Sequence, residues 1–346
     1  MLVARLVSPR VRILHGVARV RRALQERNMR KAELNRITAA LRKLTPDQRK
    51  RVGAELASLD AQPISTAIVE GRFAGGAMCP HCESGHVIRN GHANGLQRYR
   101  CRECGKTFSA LTGTPLNRLH KRGKWLGQAE ALQTGQPLRA VAGALHIHLS
   151  TAHRWRHRFL ALPKALQPSA LTGIAEADET VFLLSFKGKR SGLERKARKR
   201  GGKAAKRGLS QEQVPVLVAR DRAGVTMDCV LEAMDTVTLS AALKPFVTND
   251  VVLCTDGSKA LAGAARDLGI EHHAVNLSAG IRVDGAWHVQ NVNAYHSRLK
   301  AWVQKFRGVA TRYLDSYLGW FRALDREHGS GPKPQQWLAL AIGSPT

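Results

Sequence analysis

The sequence predicts a multidomain α+β chain that ends in an α/β domain with a mixed five-stranded sheet. Three observations predict it. Four cysteines in two Cys-x2-Cys pairs mark a small metal-stapled module between residues 79 and 104. A pair of short helical patterns follows between residues 137 and 160. From residue 172 onward the order is strand, two strands, helix, strand, helix, strand, helix.

Composition sets the class of partner. The chain has 346 residues, enough for two or three domains with a sizeable core. It carries 55 Lys and Arg against 26 acids, a net charge of +29. Self-repulsion of that size opposes a compact fold, so it points to a polyanionic partner, and nucleic acid is the expected one. There is no apolar run of the ~20 residues needed to cross a bilayer, so no membrane partner is expected. Cys229 and Cys254 sit alone in apolar segments and are expected to be small buried residues in a reducing compartment.

Residues 1–75 form a basic helical N-terminal region. The first 28 are Arg-rich and broken by Pro9; they carry no assigned function, and Met29 is an alternative start. The stretch from Leu44 is clearer. Thr45 is placed as an N-cap, with Pro46 at the first helical position, Asp47 in the first turn, and Val52, Leu56 and Leu59 on an apolar face. Residues 74–77 read as a linker.

Residues 76–112 read as a zinc ribbon. Cys79 and Cys82, then eighteen residues, then Cys101 and Cys104 is the spacing of a closed four-thiolate site, structural rather than catalytic. Gly105 permits the knuckle after the second pair, and Val87–Ile88 and Arg98–Arg100 are the expected strands. His81, His86 and His92 are not needed as ligands. Arg89, Arg98, Arg100 and Arg102 give the ribbon a basic surface able to meet phosphate.

Residues 120–165 read as a helix-turn-helix DNA-binding segment. A first helix over 138–145 turns Val141 and Leu145 inward. A second, capped by Ser150 or Thr151 and running to Leu160, turns Trp155 and Phe159 inward. Its outer face is expected to carry His153, Arg154, Arg156, His157 and Arg158. Apolar behind and hydrogen-bond donors in front is the division a recognition helix needs. Phosphate contacts would supply most of the affinity.

The core is expected over residues 172–325. The strand around Asp178 is followed by residues 187–207, with eleven basic residues against one Glu, which predicts a loop or arm too charged to pack. Its Lys196, Arg198, Lys199 and Arg200 are candidate DNA contacts. Val214–Arg220 and Val225–Leu231 predict a hairpin about Asp221–Gly224. A helix capped by Thr238 follows, then the strand from Val251 ending in Asp256-Gly257, a helix over Ser258–Leu268 and a strand over His272–Val275. This order matches a ribonuclease H-like fold. Asp256 falls at a carboxyl-terminal strand edge, where open α/β sheets place ligands. Two helices broken near Arg307-Gly308 close the domain, and residues 326–346 are left as a C-terminal tail.

The chemistry follows from placement. Asn293, His296 and Lys300 lie at i, i+3 and i+7 and share one helix face. That face is expected to close over Asp178 and Asp256, which would hold Mg²⁺ or Mn²⁺ for phosphodiester cleavage, with Asn293 as a neutral third ligand and Lys300 on DNA phosphate. Glu176 competes with Asp178 on the same strand face, and Glu179 points to the opposite one.

From about Leu44 to Phe321 the chain resembles the insertion-sequence 1595 family of bacterial transposases. CPHC…RYRCRECGKTF, LTGTPL, TAHRWRHRFL, ADET, TDG and VNAYHSRLKAWVQKFRGVATRYLDSYLGWFR carry the resemblance. It implies a zinc ribbon, a DNA-binding helical segment and a ribonuclease H-like transposase core. It places the family's two acids at Asp178 and Asp256, its third metal ligand at Asn293 and its following basic residue at Lys300. Glu is usual at the third position in the wider class; Asn is also a recognised form in this family. The implied activity is metal-dependent cleavage and joining of double-stranded DNA at element ends. A homo-oligomer would act there in a bacterial cytoplasm, at the nucleoid. A non-catalytic DNA-binding protein, such as a decayed or domesticated transposase acting as a repressor, is the alternative. A zinc-dependent nuclease is disfavoured, because a four-thiolate site leaves no open position for water.

Overall fold

The computed structural model describes residues 29–189, 191–193, 202, 204–205, 210–276, 279–326 and 331–343. Lys196, Arg198, Lys199, Arg200 and the lead-in over 1–28 lie outside the described residues. The chain falls into two compact units, residues 1–56 and 57–346.

In the first unit, helix α1 (Lys31–Arg42) buries no residue. Helix α2 begins at Pro46 and continues to Gly71 in the second unit. Thr45 caps it as expected: its Oγ1 accepts from Gln48 N–H at 3.3 Å, and Gln48 Oε1 accepts from Thr45 N–H at 2.9 Å. The helix runs past Pro63, and its buried positions are Ser65 and Val69, while the expected apolar face at Leu56 and Leu59 is exposed. The sequence pattern stopped a turn short of the residues that pack.

Strands β1 (Val87–Ala93), β2 (Leu96–Cys101) and β3 (Thr107–Ser109) form an antiparallel three-stranded sheet. Phe73, Tyr99 and Phe108 pack ring to ring against it, at 5.5 to 6.0 Å.

Helices α3 (Trp125–Gln133), α4 (Leu138–Ala144) and α5 (Leu149–Phe159) form the next module. His148 caps α5, not Ser150 or Thr151: its ring accepts from Ser150 N–H at 3.3 Å. An imidazole nitrogen is as good an acceptor for an orphan helix N–H as a hydroxyl.

The second sheet has five strands in the order β6-β5-β4-β7-β8. They are β4 (Ile174–Leu183), β5 (Gln213–Asp221), β6 (Thr226–Val230), β7 (Val252–Thr255) and β8 (Glu271–Ala274). β4 pairs antiparallel with β5 and parallel with β7, and β5 and β6 form the hairpin expected about Gly224. Period-two alternation sends Ala175, Ala177, Leu217 and Ala219 to one face. Leu239 and Leu243 of α6 (Thr236–Leu243) and Leu261 and Ala264 of α7 (Lys259–Leu268) cover them there. The cap of α6 is Asp235, which accepts from Thr238 N–H at 2.8 Å, so Thr238 is the capped residue and not the cap.

The other face carries Val214, Val216, Val218 and Cys254 beneath α8 (Gln290–Gln304) and α9 (Leu314–Asp325). This core does not stop at the sheet. It runs without a gap through Trp302 and Trp320 to Leu132, Trp155 and Phe159, and to Trp337 and Leu338. The three-helix module and the sheet domain therefore share one interior. Gly319 is what lets α9 approach the turn at residues 163–165, because a Cβ there would lie 2.4 Å from the Lys164 Cα. The expected C-terminal tail holds a helix, α10 (Pro334–Ile342), with Trp337, Leu338, Ala341 and Ile342 buried. Its apolar spacing buries it where a tail would not pay the ordering entropy.

Candidate active site

The four cysteines come together. Their sulfurs all lie within 4.8 Å of one another, with Cys79–Cys104 and Cys82–Cys101 at 3.6 Å. A tetrahedron with metal–sulfur bonds of roughly 2.3 Å has edges of roughly 3.8 Å, so the quartet fits a tetrahedral ion. Gly105 takes φ +69° at the knuckle. The thiols share their protons unequally: backbone N–H groups of Cys104 and then Glu103 draw Cys101 down to about 7, while Cys82, although Ser84 N–H lowers it, is pushed up to about 12 by burial and the other thiols. His86 is elsewhere, paired with Glu103 at 2.8 Å. A tetrahedral ion held by all four thiols would have no open position for water.

The carboxylates assemble across the β4–β7 pair. The parallel register sets Ile174 against Val252 and Glu176 against Cys254. Two residues further, the same offset brings Asp178 level with Asp256, just past the end of β7. Asp178 points to the α8 side of the sheet, as its β5 partner Val218 does. Burial, and next the charge of Asp178, raises the Asp256 carboxyl above the ordinary Asp value. Glu179, on the opposite face, is pushed up to about 7 by burial, then by Asp178 and Asp256. Its Oε1 is buried without a partner. Three acids repel one another where the middle of β4 runs past the end of β7, and hard oxygen donors in that state suit a divalent cation.

Helix α8 supplies the opposing wall. Asn293 is half-buried, His296 is buried, and Lys300 is exposed. His296 Nδ1 lies 3.4 Å from Asp178 Oδ2, while Asp178 Oδ1 accepts from Glu179 N–H at 2.9 Å. Lys300 lines a cleft with Val181, Leu183, Val303 and Thr311, beyond the end of the acid pair.

What holds α8 over the acids is a set of residues that sequence reasoning passed over. Glu176 is fully buried and is no rival to Asp178: it ion-pairs with Arg222 and accepts from Asn291 Nδ2 and Val292 N–H, each at 2.9 Å. It thus fixes the first turn of α8 to β4, two residues before Asp178. His288 Nδ1 lies 3.2 Å away in the same knot. Further along, Tyr295 OH donates to Asp228 Oδ2 at 2.7 Å, and Asp228 is ion-paired with the buried Arg322. The helix breaks where expected, with Arg307 at φ +53° and Gly308 at φ +97°. Lys187 Nζ caps that break on the carbonyls of Phe306, Arg307 and Gly308 at 3.1, 3.2 and 2.6 Å. The first residue of the expected free arm is therefore tied down. Arg222 lay in a turn that marked a hairpin, and no local pattern points from that turn to a helix 66 residues away.

The outer face of α5 is smaller than its sequence suggests. Arg154 and Arg158 are exposed. Arg156 is 1% exposed: it donates to Gln136 O at 2.5 Å and to Tyr317 OH at 3.4 Å, under Trp320 and Phe306 at 5.1 and 5.6 Å. His157 stacks on Tyr313 at 3.9 Å, and burial holds its ring down to about 4, with His153, Arg156 and Arg312 adding to it. Both were expected to face DNA. They face α9 and the turn before it, because this helix has a second packing partner that no spacing within it announces.

Residues 170–322 match the family model described as an ISXO2-like transposase domain, and residues 121–163 match a homeodomain-like domain. A protein described as an uncharacterized protein in transposable element ISH50, from Halobacterium salinarum, is 27% identical over 255 residues, covering 72% of this chain and 86% of its own. Among solved structures, a pre-cleavage Mos1 transpososome aligns at 16% identity and TM-score 0.28, over 64% of this chain and 79% of that one. A Mos1 strand transfer complex aligns at 17% and 0.28, over 64% and 78%.

Proposed function

Because residues 170–322 match the model of the ISXO2-like transposase domain, we propose that this chain cuts and joins DNA at the ends of an insertion sequence, with a ribonuclease H-like core as its catalytic domain. The observation that carries the reading is the mutual repulsion of Asp178 and Asp256 where β4 runs beside the end of β7, with His296 of α8 3.4 Å from Asp178. Asp178, Asp256 and the carbonyl oxygen of Asn293 would hold Mg²⁺ or Mn²⁺. Such an ion, when bound, activates the attacking oxygen and stabilises the leaving one in phosphodiester cleavage. The residues themselves do the rest. Burial and mutual repulsion raise the Asp256 and Glu179 carboxyls, a strain that either a proton or a bound cation relieves. Lys300 at the cleft meets a DNA phosphate, and Arg154 and Arg158 on α5 contact the duplex that α5 reads. Cys79, Cys82, Cys101 and Cys104 would hold zinc as a structural staple.

Two ends must be brought together, so the active form on DNA is at least a dimer. No helix among the described residues is long and apolar enough to cross a membrane, and the working place proposed is the bacterial cytoplasm at the nucleoid.

The test is end cleavage and strand joining on labelled DNA carrying the inverted repeats that flank the coding region, in Mg²⁺ and in Mn²⁺. Wild type is expected to cut; Asp178→Ala and Asp256→Ala are expected to be inactive. An Asp256→Ala variant that cuts as well as wild type would sink the assigned site. Asn293, in place of an acid, favours a second reading, a DNA-binding protein without chemistry. Binding of the ends with no product in either ion would select it.

A further inference from the structure

The site described above leaves one buried polar group without a task. His296 is 6% exposed, sits one turn after Asn293, and turns Nδ1 to within 3.4 Å of Asp178 Oδ2. Its other nitrogen, Nε2, is buried and has no hydrogen-bond partner.

For a singly protonated ring, those two facts favour Nδ1 as the place of the proton. A proton on Nε2 would leave a buried N–H without an acceptor, and would set the bare Nδ1 lone pair against a carboxylate oxygen. Both cost free energy, and orphaned buried N–H groups are rare. A proton on Nδ1 removes both penalties, because Nδ1–H then points at an anion and only a lone pair stays unmet. At 3.4 Å the pair is looser than the roughly 2.9 Å of a formed N–H···O bond.

The two oxygens of Asp178 are then divided between two donors. Oδ1 takes Glu179 N–H at 2.9 Å, and Oδ2 faces His296. With Oδ1 bonded and Oδ2 3.4 Å from the ring, a donor at Nδ1 narrows the orientations left to the carboxylate. Donors of this kind behind a metal-ligating group set its direction and its basicity. His296 is well placed for that work, since α8 is itself pinned to β4 by Glu176 two residues before Asp178.

We propose that His296 is a positioning residue of the cation site: its Nδ1–H orients the Asp178 carboxylate, so that cation binding depends on a donor at the Nδ1 position. This rests on the reading of Asp178 as a cation ligand, and the experiment separates the two.

Asn and Gln distinguish the two nitrogens. The amide nitrogen of Asn falls near the place of Nδ1, and that of Gln near the place of Nε2. Mn²⁺ affinity of the full chain, purified with zinc, is measured without DNA from the electron paramagnetic resonance signal of the free ion. Thermal melting of each variant checks folding. His296→Gln and His296→Leu are expected to bind Mn²⁺ about 10- to 100-fold more weakly than wild type, and His296→Asn to stay close to it. Wild-type affinity in His296→Leu overturns the proposal. So does retention in Gln with loss in Asn, which assigns the work to Nε2, or equal loss in all three, which assigns it to ring packing. Asp178→Ala is the control: if it binds Mn²⁺ as wild type does, the cation reading itself has failed, whatever His296 does.

Discussion

Arg156 offers the sharpest contrast with its neighbours on α5. Replacing it by Ala removes a guanidinium that is 1% exposed. The charge-assisted bond to the Gln136 carbonyl, 2.5 Å long, contributes about 1.5–3 kcal/mol. Stacking beneath Trp320 and Phe306 adds about 1–2 kcal/mol in a desolvated site. Against this, the chain no longer buries a positive charge that has no carboxylate among its contacts, which returns part of the sum. The net expected loss is about 3 kcal/mol, lowering the melting temperature by roughly 6 °C in a unit of this size. Arg154→Ala, on the exposed face, is expected to melt within about 1 °C of wild type, since surface changes lie within ±0.5 kcal/mol. DNA binding should sort them the other way. Arg154→Ala weakens affinity across sequences and lowers the slope of log affinity against log salt by about 1, while folded Arg156→Ala keeps the wild-type slope. Thermal melts paired with fluorescence-anisotropy salt titrations read both quantities. If Arg156→Ala melts like wild type and loses one unit of salt slope, the side chain is a DNA contact and the packing argument is wrong.

Three further outcomes are expected. Chelation of the four-thiolate site should release one metal ion per chain and make residues 76–112 sensitive to limited proteolysis, because a site of this kind supplies folding free energy; a ribbon that stays protected without metal refutes it. Glu176→Gln strips the charge from a buried acid that holds Arg222 and the first turn of α8, and should cost about 2–3 kcal/mol in urea unfolding, below the full value for a buried pair because Arg222 is 28% exposed. Glu179 predicts a pH effect in the metal-free protein. Its folded-state value of about 7 lies above the ordinary value of 4.5, so the native state binds the extra proton and stability falls as pH rises from about 4.5 to 7. Melting temperatures across that window should lose this component in Glu179→Gln; an unchanged profile contradicts the raised Glu179 carboxyl, and with it the burial and repulsion that raise it.

What the sequence determined by itself is what depends on neighbours in the chain. The cysteine quartet was legible because two Cys-x2-Cys turns each build half of a tetrahedron locally. The hairpin about Gly224, the Thr45 cap and the break at Arg307-Gly308 followed from turn chemistry within a few residues. Asp178 and Asp256 were nameable, Asp178 as an acid within an alternating strand pattern and Asp256 as the acid that ends an apolar one. Their meeting, however, needed the parallel β4–β7 register, which joins segments 78 residues apart. The same limit explains the corrections. Arg156 and His157 read as outward on a helix whose inner face was already full, and only α9, some 160 residues later, gives them a second interior. Glu176 looked like a spare acid until Arg222 and the start of α8 closed around it. Amphipathic spacing reports one buried face per element. Where a second element covers the other face, the assignment of polar side chains to solvent, to structure or to chemistry is made by the packing alone.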